Sequence, residues 1–399
     1  SLETSCDTIE VDTSAGFSFP GQRKSECITK LFDISSHMMH LIRHDYYVYT
    51  PPCKLAFRGH LSEIDQPKVR PVWVYPGELS ILEGIWAIPF YEHLETLDVV
   101  MFGRNTMSKL REEQSKSLGD AEHGLLDVTL DWSEFDVHVP NWLTDFAFDI
   151  VEDSFDKEVW NLYGKEVEWK DEGYDRVFSY LRSYFKKTPL MFPNGDMYTK
   201  QHGVPSGSMF TQIIDSIVNY IVVKALLYYQ RCTIDDIKVL GDDSRVRIPV
   251  SHRHLVDPAI LSLLAKKFFG FLLKLSKVRI EQQTDKRKFI GYTVHGGMFT
   301  RPTEEWFKLV LYSERDVENL ETSASRVIAY YLLGGVNDVE YCQFFNYFFS
   351  VYPQVVGHPL PPERSIQRLL KYVFRLPPHS LHVPDVRRLS IFGSAMLMG

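Results

Sequence analysis

From Ser208 to Gln230 apolar residues return every three or four positions. Phe210, Ile213, Ile214, Ile217, Ile221 and Ala225 share one face of a long helix. A face of that composition predicts a helix lying in the core. The same period predicts helices over 28–44, 143–161, 260–273, 322–333 and 363–374, with Gly334 and Gly335 ending the helix at 322–333. The last quarter of the chain therefore reads as mostly helical.

Two-residue alternation is rarer and gathers around unusual acidic residues. Leu126, Val128 and Leu130 alternate with Asp127, Thr129 and Asp131. This predicts a strand over 126–131 with one apolar and one polar face, and with Asp131 at its end on the polar side. Strands at 237–240 and 246–248 flank Gly241-Asp242-Asp243-Ser244, a hairpin pattern with turn-forming residues at its tip. Alternation over 68–74 puts Lys68 and Arg70 on one side of a further strand.

With 399 residues, 44% hydrophobic and 14% aromatic, the chain can bury a large core, and its length suggests two or three subdomains. It holds no biased tract, charge block or internal repeat, which argues against long disordered stretches. The longest apolar runs, such as 221–223 and 348–352, fall far short of the roughly 18 residues a membrane span needs, so a soluble protein without membrane contact is expected. Neither a signal nor a transit segment opens the sequence. Its start at Ser1 rather than Met reads as a cut or partial N-terminus.

Cys6, Cys27, Cys53, Cys232 and Cys342 lie far apart with no C-x-x-C pair, which predicts reduced thiols rather than a disulfide framework or zinc ribbon. A formal charge of −8 speaks against coating nucleic acid by bulk attraction, so any such contact must be local. Most basic residues, including those at 286–288 and Arg387/Arg388, read as solvated surface; Lys68 and Arg70 stand apart because they share a strand face.

Four segments carry chemistry. Adjacent carboxylates at a tight turn, Asp242 and Asp243, repel one another, and a bound cation removes that cost. Oxygen-only ligands suit Mg²⁺, although an Asp-rich solvated turn would look alike in isolation. Asp131-Trp132-Ser133-Glu134-Phe135-Asp136 follows the alternating strand. If neighbouring strands bring Asp131 beside Asp242, the two can hold a metal pair about 4 Å apart that clamps the oxygens of a phosphoryl transfer. Asp136 then sits above the site to accept from a sugar hydroxyl, or else serves as a helix N-cap or first-turn acid.

The third segment, Gly203-Val204-Pro205-Ser206-Gly207-Ser208, leads into the long helix, where backbone N–H groups and glycine allow close approach to phosphate or a nucleotide, although in isolation it would read as a plain glycine-rich N-cap. On that helix Thr211 and Asp215 are four residues apart and face the same way, and Asp215 needs a partner among its apolar neighbours. The fourth segment is Lys68-Val69-Arg70-Pro71-Val72-Trp73, with Arg58 ten residues before Lys68, and either supplies fixed cations for a triphosphate or is simply a basic strand face. His37, His40 and His44 share a helical face, where a solvated or core stripe outweighs a metal site.

Together and in this order the segments resemble the motifs of viral RNA-dependent RNA polymerases. The wording of Asp131-Trp132-Ser133-x-Phe135-Asp136, Gly203-Val204-Pro205-Ser206-Gly207-Ser208-x-Phe210-Thr211-Gln212 and Lys288-Phe289-Ile290-Gly291-Tyr292 is similar to that of partitiviruses and related double-stranded RNA viruses. The resemblance runs from about Thr13 to Arg301.

It implies an α+β right-hand polymerase fold with an antiparallel palm sheet packed on helices. The expected division is fingers at 1–122, palm at 123–145, a fingers insertion at 146–195, palm again at 196–300 and a helical thumb at 301–399. Asp131, Asp242 and Asp243 are then the metal ligands for two Mg²⁺ ions, with Mn²⁺ able to substitute. Asp136, Ser206, Thr211 and Asp215 recognise the ribose, Gly207 gives the mobile loop, and Asn219 is an alternative to Asp215. Arg58, Lys68 and Arg70 grip triphosphate, Lys277 or its competitor Lys274 protonates pyrophosphate, and Thr13, Ser14 and Gly16 guide the template.

The implied activity is RNA copying from rNTPs on an RNA template. RNA product and viral capsid protein are further partners, and the setting is the host cytoplasm inside the virion. Two rivals remain. A reverse transcriptase usually places an aromatic residue two before the paired aspartates, where this chain has Leu240, and a bulky residue where it has Asp136. A non-catalytic RNA-binding relic of the fold would have no reason to bind metal or nucleotide at Asp131 and Asp242.

Overall fold

The computed structural model describes residues 1–356 except 12, 61–64, 66–67, 102–108, 110–111, 113–123, 158–159, 163–164, 168, 170–171, 283–286, 296–297 and 313–318. Four antiparallel strands form its acidic sheet, in the order Arg279–Gln282, Leu125–Leu130, Asp243–Pro249, Asp236–Leu240. Alternation explains the arrangement: Leu126, Val128 and Leu130 lie buried beside Ile248, Val246 and Ser244, their partners across the ladder. This sheet packs on helix Thr211–Tyr229, which buries Ile213, Ile214, Val218, Val222, Val223, Leu226 and Leu227.

The polar face of the sheet is covered too, contrary to the simple alternating pattern. Asp127 and Arg247 are 2% and 3% exposed, and the Arg247 Nε lies 3.3 Å from an Asp127 carboxylate oxygen. Strands Arg287–Phe289, Tyr292–His295 and Met298–Thr300 form an antiparallel sheet on this side, with Arg245 stacked 5.8 Å from the Phe289 ring centre. The buried charges are thus paired or stacked rather than solvated.

A second sheet has the order Lys68–Val74, Cys53–His60, Pro189–Met191, Met197–Thr199, and its first two strands put Arg58 directly across from Arg70. Helix Gly77–Thr96 follows the basic strand and is buried along nearly its whole length. Beyond residue 301, helices Thr303–Leu311, Leu320–Leu332 and Val339–Val351 pack around Trp306, Tyr341 and Phe345 in a core of their own.

The expected elements shift in informative ways. The helix at 208–230 is Thr211–Tyr229 and that at 322–333 is Leu320–Leu332, while that at 28–44 begins earlier, as Lys24–Arg43, because the Glu26 side chain turns back to accept from the Arg23 N–H at 2.8 Å. The helix at 143–161 is instead Asn141–Asp153. Its buried stripe of Leu143, Ala147, Phe148 and Val151 ends there, Phe155 turns toward Trp169, and Trp160–Leu162 is a strand.

The helix at 260–273 is likewise shorter. It runs Pro258–Phe269 from an Asp257 N-cap to Gly270, and Leu272–Leu273 then leaves to pair with Trp132–Ser133. The helix at 363–374 lies outside the described residues. Among those described, all five cysteines are free, and no helix is long and apolar enough to cross a membrane.

Candidate active site

The Asp hairpin turns in two residues, Gly241 and Asp242, because Leu240 already pairs with Asp243. Gly241 has φ 58°, which favours glycine; a Cβ there would meet the Gln212 Nε2 at 2.7 Å, the end of a flexible side chain that can give way. Asp242 occupies the tip, whereas Asp243 begins a strand. Ser244 pairs with Leu130, so Asp131 and Asp243 take the facing positions one residue beyond that pair. The two acidic segments therefore end side by side.

The long helix fixes them there. Asn219, fully buried, donates to the carbonyls of Gly241 at 2.8 Å and Asp243 at 3.1 Å. Its own carbonyl oxygen accepts from the Trp132 indole N–H at 3.0 Å. One side chain thus ties the hairpin to the residue after Asp131. Ser216 adds a bond, accepting from the Gly241 N–H at 2.9 Å. Buried polar groups on an apolar helix are costly unless partnered, and these are partnered by the site itself.

Two lysines hold Asp131. Lys274 donates to one carboxylate oxygen at 2.9 Å and to the Trp132 carbonyl at 2.8 Å, and Lys277 donates to the other oxygen at 3.3 Å. Partial burial works to raise the Asp131 carboxyl, but the bonds and charge of Lys274 and then Lys277 outweigh it and leave the group below the usual carboxylate range.

Asp136 and Asp215 go the opposite way. Desolvation raises Asp136 first, with Asp242 adding to it and Arg70 opposing. Burial also lifts Asp215 well above its ordinary value, and the charges of Asp136 and Asp242 push it further while Lys200 resists. Three carboxylates, Asp136, Asp215 and Asp242, thus converge on one space, and Arg70 faces it from the second sheet. Asp215, 7% exposed, leaves one carboxylate oxygen buried without a hydrogen-bond partner.

Segment Gly203–Phe210 closes the floor. A Cβ on Gly207 would run into the Trp73 carbonyl and lie 2.9 Å from the Tyr75 Cβ, so only glycine lets this loop touch the basic strand. Ser206 accepts from the Trp73 N–H at 3.2 Å, and the Thr211 hydroxyl donates to the Pro205 carbonyl at 2.6 Å. Neither caps the helix; both tie the loop. Arg58 and Arg70 are exposed and lie directly across the ladder from one another. Lys68 begins that strand opposite His60.

Thr13, Ser14 and Gly16 lie where the basic strand enters the next helix: the Gly77 N–H donates to the Ala15 carbonyl at 2.9 Å, and Thr13 accepts from Lys24 at 2.8 Å. Sequence reading singled out neither Ser216, which bonds the acidic turn, nor Glu83, Tyr75 and Lys200, which line the loop. The available signal was a run of buried-type residues over 79–90 interrupted by an acid at Glu83.

A family profile described as "Viral RNA-dependent RNA polymerase" matches residues 1–348. The chain is 30% identical over 222 residues to the RNA-directed RNA polymerase of Cryptosporidium parvum virus 1 (strain KSU-1), covering 55% of this chain and 40% of that relative. It is 25% identical over 317 residues to that of Atkinsonella hypoxylon virus (isolate 2H), covering 69% and 47%. The chain thus spans less than half the length of these curated relatives. Among solved structures, the RNA-dependent RNA polymerase of a human picobirnavirus superposes with a TM-score of 0.69 at 16% identity, over 87% of this chain and 66% of that one. That likeness carries the fold, and it is the right-hand arrangement expected from the motifs.

Proposed function

The chain belongs to the viral RNA-dependent RNA polymerase family, and from that premise we propose that it extends RNA by adding ribonucleotides opposite an RNA template. The observation that carries this reading is the pairing of Asp131 with the Gly241-Asp242-Asp243 turn at the ends of neighbouring strands, tied together by Asn219. In the same reading the acidic sheet is the palm, the segments around Lys68–Val74 belong to the fingers, and the helices after residue 301 begin the thumb.

Divalent cations fit the donors present. The acids offer oxygen only; burial first and then their mutual repulsion raise Asp136 and Asp215, and a cation would relieve the repulsive part. Among the described residues no three His, Cys, Asp or Glu side chains form a ready-made cage, so water and substrate phosphate would have to complete the shell. Asp131 and Asp242, with Asp243 in support, would hold two Mg²⁺ ions, or Mn²⁺, which supply acidity to the 3′-hydroxyl and charge stabilisation at the α-phosphate.

The rest of the work falls to the chain itself. Arg58, Lys68 and Arg70 bind the triphosphate, and Asp136 and Asp215 face the sugar, with Ser206 and Thr211 keeping the loop beneath it in shape. Lys277, or Lys274 beside it, delivers a proton to departing pyrophosphate. Thr13, Ser14 and Gly16 line the template's path. Orientation and fixed charge then provide most of the rate. The setting that goes with this reading is the virion in the host cytoplasm, with capsid protein as a neighbour. The test is incorporation of labelled rNTPs on single-stranded RNA with Mg²⁺: the wild type should extend the product, and Asp242→Asn should fold but fail. Retained incorporation by that variant would refute the metal-ligand assignment, and a preference for dNTPs would favour the reverse transcriptase.

A further inference from the structure

Glu83 lies fully buried on helix Gly77–Thr96. Three donors converge on it. The Tyr75 hydroxyl reaches Oε1 at 2.5 Å, the Ser208 hydroxyl lies 2.9 Å from both oxygens, and the Met209 N–H reaches Oε2 at 2.8 Å. On the same helix the Tyr91 hydroxyl donates to the Met209 carbonyl at 2.8 Å. Both backbone groups of Met209 are therefore held by one helix.

A dry carboxylate is an expensive way to fill a core, and only an acceptor on both oxygens can satisfy three donors. What those donors have in common is informative. Ser208 and Met209 close the loop that carries Ser206 and Gly207, and Tyr75 directly follows the strand that carries Lys68 and Arg70. The carboxylate thus joins the two segments assigned to opposite ends of the nucleotide. Ser206, accepting from the Trp73 N–H, repeats the link at the surface.

We propose that Glu83 is a positioning residue for nucleotide recognition: its carboxylate clasps the Ser206–Met209 loop to the end of the basic strand, so that sugar-facing and triphosphate-facing groups keep one register. The proposal rests on the polymerase reading of the site. Glutamine at this position keeps the volume but replaces one acceptor oxygen by a donor, which faces the Met209 N–H or the hydroxyls.

The test uses the full chain with Glu83→Gln and Tyr75→Phe, read by two measurements. Amide hydrogen exchange over 203–210, without substrate, should quicken about tenfold or more in Glu83→Gln and much less in Tyr75→Phe, which keeps the Met209 bond. In nucleotide incorporation, Glu83→Gln should raise KM for rNTP about tenfold while kcat stays within about threefold, as expected for lost ground-state positioning. Wild-type exchange together with wild-type KM in Glu83→Gln would overturn the proposal, as would a fall in kcat with KM unchanged. A wild-type chain that incorporates nothing would sink the polymerase reading instead, and the exchange result would then decide the clasp by itself.

Discussion

Asn219 offers the sharpest perturbation of the site, because it touches no substrate-facing group yet holds both acidic segments. Replacing it by leucine keeps the helix and approximates the volume but removes three hydrogen bonds: two to the carbonyls of Gly241 and Asp243, and one from the Trp132 indole. The indole N–H and the Gly241 carbonyl are then left in a dry interior, since Trp132 is 3% exposed and Gly241 is buried. Each such orphan costs about 1–3 kcal/mol, so a loss near 3 kcal/mol in unfolding free energy is expected at about neutral pH. Urea titration measures it directly.

The effect on activity should exceed that on stability. Freed from Asn219, the turn can drift relative to Asp131, and a displacement of about 1 Å at reacting groups costs on the order of a hundredfold in rate. Asn219→Asp discriminates further. It retains an acceptor for the Trp132 indole but sets a carboxylate against two carbonyls, so it should lose incorporation at least as severely while unfolding at a similar urea concentration to the leucine variant. Full incorporation by Asn219→Leu, or a stability loss well under about 1 kcal/mol, would refute the idea that this side chain locks the site.

Other consequences follow from charge. Burial pushes the Glu83 carboxyl from 4.5 to about 7, so between those values the folded chain keeps a proton that the unfolded chain has lost. Stability should therefore fall as pH rises through that window and level off above it. The facing groups, Tyr75, Tyr91, Tyr184 and Cys53, all stay neutral there, their own values raised by burial. Urea midpoints across the window should fall more steeply in wild type than in Glu83→Gln, where Asp215 and the other raised acids still act; a decline of equal size in both would assign it to those groups alone. Asp215, raised well above its usual value by burial and then by Asp136 and Asp242, works with the same sign, so Asp215→Asn should gain stability at neutral pH, measurable by the same titration. Inorganic triphosphate should raise the melting temperature of wild type but not of an Arg58→Gln/Arg70→Gln variant; equal shifts would remove these arginines from the binding face. Finally, Lys277→Met should lower kcat on the order of a hundredfold if its ammonium serves the leaving group, whereas undiminished kcat would pass that role to Lys274.

Asp131 and the Asp242 turn are legible in sequence because their signals are local: two-residue alternation on one side, turn-forming residues between strands on the other. Gly207 is legible for the same reason, as part of a glycine-serine loop opening a helix. Helix Gly77–Thr96 escaped because it is buried on nearly every side and so has no amphipathic period to detect. The two overlong helices share a different cause. Their apolar residues continue past the true ends, but Phe155 and Leu273 are used by tertiary packing and strand pairing instead. Glu83 acts on residues 125 and 126 positions away, a relation no local pattern carries.

The arrangement of charge explains why this site needs so much scaffolding. Asp136, Asp215 and Asp242 repel one another, and Arg58 and Arg70 lie opposite each other on paired strands. In the proposed reading, a nucleotide with its cations would relieve the repulsion among the three carboxylates and lie against the two arginines. A polypeptide left free to relax would spread these groups apart before substrate arrived. The bonds that Asn219 gives to the turn, that Ser216 accepts from it and that Glu83 accepts from the loop oppose this, each from a buried side chain. Their burial is therefore functional: in a wet layer the same bonds would be about as strong as those to water and would hold nothing in place.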